Sequence, residues 1–125
     1  AADIMDFNKI NTYRTGQLAY FLERLQQTMD GDASLLDKTA IVWGSPMGDP
    51  NLHNHRRCPL LLMGKGNGAL VGGLHLRAPK GKPMSNAFVC LMQGIGHDME
   101  SFGDSTGALS LSYPRGMTSD GLSGA

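Results

Sequence analysis

The sequence predicts an α/β fold: a partial sheet of two buried strands, two main helices and long glycine-rich loops. Three observations carry that expectation. Apolar residues recur at three- and four-residue steps between Phe7 and Met29, the signature of an amphipathic helix. Two short runs, Thr39–Gly44 and Pro59–Gly64, are apolar on both parities, as strands covered on both faces are. Glycine supplies 17 of 125 residues, about twice its usual share of roughly 7%, so much of the chain is loop.

The first helix spans Phe7 to Met29, with Ile10, Tyr13, Leu18, Phe21, Leu22, Leu25 and Met29 as its apolar stripe. Asp6 is its expected N-cap. Gly16 is a weak point, costing roughly 1 kcal/mol against alanine. Asp30-Gly31-Asp32 ends the helix, with Gly31 as a left-handed C-cap. Residues 33–38 read as a turn-like connector into the first strand. A polar loop, Ser45 to Cys58, separates the two strands. Residues 64–83 are loop, with Gly64, Gly66, Gly68, Gly72 and Gly73 followed by Lys80-Gly81-Lys82-Pro83. The second helix spans Ser85 to Ile95, with Ser85 as N-cap, Phe88, Leu91, Met92 and Ile95 as the apolar stripe, and Gly96 as C-cap. Residues 1–111 form one α/β unit and 112–125 an irregular Gly/Ser-rich tail. Two strands make no stable sheet, so their neighbours come from a further part of the protein or from a partner chain.

Charge excludes some functions. Eleven Lys and Arg balance 11 Asp and Glu, so a broad basic footprint for nucleic acid is not expected, nor a polybasic membrane anchor. No run approaches the roughly 18 apolar residues of a membrane span. Ala-Ala-Asp-Ile-Met at the start has neither the basic end nor the apolar centre of a signal peptide. Cys58 and Cys90 allow one disulfide or two buried thiols. Without a C-x-x-C pair, neither a structural zinc site nor a redox motif is expected.

The densest polar cluster is Ser45 to Arg57, after a strand's C-terminal end, where open α/β sheets place their sites. His53 and His55 stand two apart. On an extended stretch they point the same way and can share a divalent metal, with Asp49 as third ligand. The alternative is that both histidines hydrogen-bond backbone and fix the loop. Gly103-Asp104-Ser105-Thr106-Gly107 matches G-x-S-x-G in letters, but no strand precedes it and no helix pattern follows, so the strained elbow that motif needs is not expected. A turn in which Asp104 and Ser105 bond local backbone is expected instead. Gly64-Lys65-Gly66-Asn67-Gly68 fits neither phosphate-loop spacing and reads as a flexible surface loop. Met29, Met63 and Met92 fall on core stripes. His75 and Arg77 read as a solvated edge.

Several motifs recur in a characteristic order. They are Leu35-Leu36-Asp37-Lys38-Thr39-Ala40-Ile41-Val42-Trp43-Gly44-Ser45, Met47-Gly48-Asp49, Asn51-Leu52-His53-Asn54-His55, Pro59-Leu60-Leu61-Leu62-Met63-Gly64 and Phe102-Gly103-Asp104-Ser105-Thr106-Gly107. Together, from about Phe7 to Leu111, they resemble the C-terminal part of a family of exported bacterial proteins of unknown function (domain of unknown function 1552). That family is similar to the alkaline phosphatase and sulfatase superfamily. The resemblance implies an alkaline-phosphatase-like fold with further strands upstream, and a periplasmic or cell-surface location. In the catalytic superfamily the first strand leads into a metal-binding Ser-Asp-His-Gly or Ser-Asp-Asn-Gly turn. Here Ser45-Pro46-Met47-Gly48 stands in its place, and proline and methionine are not zinc or calcium ligands in such sites. The segment that carries the superfamily's nucleophile has no counterpart in this chain.

The expected function is therefore non-catalytic: a structural or binding component of a larger exported assembly, partnered by other protein chains or by an upstream part. The alternative expectation is a metal-dependent hydrolase whose remodelled site uses Asp49, His53 and His55.

Overall fold

The computed structural model describes residues 2–109; the expected tail at 112–125 lies outside the described residues. Within them the fold is mixed α/β, with three helices and two small antiparallel two-stranded sheets. Helix α1 spans Ala2–Gln27 and so begins before the expected start. No glycine or proline interrupts the first turns, and Asp3 sits in the first turn, where a carboxylate suits the helix dipole. Asp6 is thus inside the helix rather than at its cap, and it pairs with Lys9 at 3.0 Å. α1 touches α2 and β2. Of its apolar stripe, Leu18, Leu22 and Leu25 are half-buried, whereas Ile10, Tyr13 and Phe21 stay exposed.

Gly16 lies in the middle of α1 with nothing within 4 Å of the place a Cβ would take. Gly16→Ala is therefore expected to stabilise the chain by about 0.5–1 kcal/mol, through helix propensity alone. A rise in the urea midpoint with an unchanged slope is the expected reading.

The helix does not end in a glycine cap. The Thr28 hydroxyl donates to the Arg24 carbonyl at 2.7 Å, and the chain then forms a hairpin of β1 (Met29–Asp30) and β2 (Ala33–Ser34). Gly31, at φ +69°, is the first central residue of the two-residue turn, a position that needs positive φ in a mirror-type hairpin. Glycine served either structure, and strand pairing decided between them. Met29 rides on this hairpin in the open rather than on a core stripe.

Residues 33–38 are more ordered than a connector. Ser34 caps the one-turn helix α2 (Leu35–Lys38). Its hydroxyl accepts from the Asp37 N–H at 3.1 Å, while the Asp37 carboxylate accepts from the Ser34 N–H at 3.2 Å and from its hydroxyl at 2.7 Å. This reciprocal capping box satisfies amides that a helix start otherwise leaves to water.

Strands β3 (Ile41–Gly44) and β4 (Leu60–Met63) pair antiparallel, with Ile41 opposite Met63 and Gly44 opposite Leu60. They are shorter than expected and are not buried on both faces: Val42, Trp43 and Leu61 are exposed, Trp43 at 38%. The physical reason is plain. An apolar run on both parities marks surfaces suited to cover, and among the described residues no third strand joins this pair.

The buried apolar core of the described residues is small: Ala87, Val89 and Leu91, all on α3 (Ser85–Gly94), with Val89 at 0% exposure. Of the stripe expected there, Leu91 is buried, Phe88 and Met92 are half-buried and Ile95 is exposed. Ser85 does not cap α3 through its side chain. The first amides bond instead to Pro83 and Met84 carbonyls in a tightened turn. The Ser85 hydroxyl is thereby released to donate to Asp104 at 2.6 Å. The far end closes as expected at Gly96, φ +94°. The His97 N–H reaches the Met92 carbonyl at 2.9 Å and the Gly96 N–H the Gln93 carbonyl at 3.1 Å, which is the paired pattern of a Schellman cap.

The segment 98–109 wraps α3 as a strap. Asn86, 3% exposed, donates from Nδ2 to Thr106 Oγ1 at 3.1 Å and accepts the Thr106 N–H on Oδ1 at 2.8 Å. Its carbonyl accepts the Leu109 N–H at 2.9 Å. Phe102 meets Phe88 edge to face at 6.2 Å between ring centres. No helix among the described residues is long and apolar enough to cross a membrane.

Candidate functional site

The loop 45–58 joins β3 to β4 at the open end of their antiparallel pair. It is the tip of a long hairpin, not the carboxyl edge of a parallel sheet, so the strand-end argument for a site does not apply to it. The ladder runs one residue further, with the Ser45 N–H on the Pro59 carbonyl at 3.2 Å. The loop is then pinched at its middle: the Gly48 N–H donates to the Asn54 carbonyl at 3.0 Å and the Asn54 N–H to the Asp49 carbonyl at 3.2 Å. Gly48 permits this approach, because a Cβ there would overlap the Arg56 carbonyl oxygen.

Each expected ligand has a place in this loop. Asp49 Oδ1 accepts the Asn51 N–H at 2.9 Å and the Leu52 N–H at 3.1 Å, so its carboxylate caps the turn at the loop tip. His53 is exposed and has φ +51°. The stretch between His53 and His55 is therefore not extended, and the two-residue spacing no longer turns both rings the same way. His55 Nδ1 lies 2.7 Å from the Pro46 carbonyl oxygen. A carbonyl only accepts, so Nδ1 is the donor in this bond. Cys58 Sγ donates to the same carbonyl at 3.0 Å. Among the described residues, no three His, Cys, Asp or Glu side chains form a set that could hold a metal ion. Asp49, His53 and His55 are thus not brought together as a three-ligand set in this structure. Of the two histidines, His55, bonded to the Pro46 carbonyl, matches the alternative stated for them, while Asp49 fixes backbone in the same loop.

The other motifs also resolve. Cys58 and Cys90 are both free thiols, each half-buried. In the G-x-S-x-G segment, the Phe102 N–H donates to Ser105 Oγ at 2.8 Å and the Ser105 N–H to the Phe102 carbonyl at 3.0 Å. Ser105 thus closes a local turn, as expected. Asp104 instead reaches across to Ser85. The Gly64–Gly68 segment is not a flexible surface loop. It forms a 3₁₀ turn over Gly66–Gly68, with Gly66 buried, pinned by the Lys65 N–H on the Leu36 carbonyl at 3.1 Å and the Gly66 N–H on the Thr39 carbonyl at 3.0 Å.

That turn brings Lys65 to Asp37, Nζ to Oδ1 at 2.7 Å. The two form one wall of a cleft of about 510 Å³, lined also by Gln26, Met29, Ser34 and Leu36. Hydrogen bonding from Lys65, followed by that from Ser34, lowers the Asp37 carboxyl from 3.8 to about 2. Ser34-x-x-Asp37, within the stretch expected to be a turn-like connector, carries the spacing of a capping box. Nothing in the sequence marks Lys65 as the ion partner, because the turn that delivers it depends on tertiary contact. The acid and base here neutralise each other, so the cleft presents no unspent charge from this pair.

The bonds to Asp37 make stability depend on pH. The pKa of Asp37 is lower in the folded chain, so the folded state holds this proton less tightly than the unfolded state does. Its stabilising contribution is present above 3.8 and is lost as pH falls through about 2. Both partners are well exposed, Asp37 at 36% and Lys65 at 70%, so salt weakens the effect. Urea midpoints of wild type and Asp37→Asn, measured across that window, are expected to differ most above it and to converge at its acid end. A constant gap between the two proteins at all pH values contradicts the pairing.

No family model, curated protein or solved structure matches the chain.

Proposed function

We propose that this chain is a non-catalytic structural or binding part of a larger exported assembly, whose remaining polypeptide covers α1 and the β3–β4 pair. One observation carries the reading. The largest apolar side chains lie on the outside of these elements, among them Ile4, Met5 and Tyr13 on α1 and Val42, Trp43 and Leu61 on the strands. Isolated surface hydrophobics are ordinary, but a two-stranded sheet exposing its own apolar residues is marginal alone. The small core on α3 supplies little to offset chain entropy elsewhere. The resemblance to exported proteins with an alkaline-phosphatase-like fold supports the same reading and a periplasmic or surface location.

The test is amide exchange on the protein purified from its own cells and on the isolated 125-residue chain. Strong protection of Ile41–Gly44 and of the first half of α1 is expected in the former and weak protection in the latter. Equal, strong protection in both overturns the reading. So does metal-dependent release of phosphate or sulfate from simple esters by the natural protein, which is the activity the hydrolase alternative requires.

A further inference from the structure

We draw no further inference here: the strongest candidate, the apolar cleft between α1 and β3 lined by Leu18, Phe21, Ile41 and Trp43, is an unpartnered face, and nothing in the structure shows what covers it.

Discussion

Asn86→Ala is expected to lower stability by about 1–3 kcal/mol and to release the strap 98–109 from α3. Asn86 is almost wholly buried and serves the strap with three bonds, two through its amide group and one through its carbonyl. Truncation removes both side-chain bonds. Thr106 itself is exposed, so its freed N–H and hydroxyl turn to water, and the cost is that of two lost intramolecular bonds, each about 0.5–1.5 kcal/mol. Thr106→Val isolates one half of the pair, since it deletes the Oγ1 acceptor and keeps the N–H on Asn86 Oδ1. Its cost is expected near 1 kcal/mol, and little of that cost is expected to add to Asn86→Ala. The decisive readout is exchange at the Thr106 and Leu109 amides. If both remain protected in Asn86→Ala, the strap is held by Phe102 and Asp104 instead, and the assigned role of Asn86 is wrong.

Gly64→Ala is expected to lower stability by about 3 kcal/mol or more. Two penalties combine. Gly64 has φ +80°, a conformation that costs an L residue about 1–2 kcal/mol. A Cβ there would also overlap the Thr39 carbonyl oxygen and stand 2.9 Å from that of Leu36. Those carbonyls accept the Lys65 and Gly66 amides, so the intruding methyl forces apart the contact that joins β4 to α2. Gly68→Ala separates the two penalties. Gly68 has φ +93° but nothing within 4 Å of a Cβ, so only the conformational cost, about 1–2 kcal/mol, is expected. Thermal or urea unfolding of the two variants side by side is sufficient. Equal losses would show that the Leu36–Thr39 contact contributes nothing.

How much of the candidate loop was legible follows from the range of the forces involved. Its polarity, its boundaries and the pairing of histidine with backbone were readable in Ser45 to Cys58. The ligand geometry was not. The inference that His53 and His55 face one way assumed extended backbone, and a left-handed residue at His53 removed that assumption. Asp49 was equally suited to a metal or to two local amides, and the amides lie within its own turn.

Local pattern was enough for the local structure: the long helix α1, the glycine-capped end of α3, the two apolar strands and the turn at Ser105. Each of these rests on spacing within a few residues, where side-chain periodicity, left-handed glycine and hydroxyl-to-amide bonds act without help from distant chain. Which apolar faces are covered depends instead on long-range packing. It laid the strap over α3 through Asn86, whose side-chain partner is 20 residues away, and left Trp43 and the first turns of α1 open. The difference is physical: apolar pattern states what gains by burial, whereas burial itself needs a second surface, and this chain places its own second surface on α3.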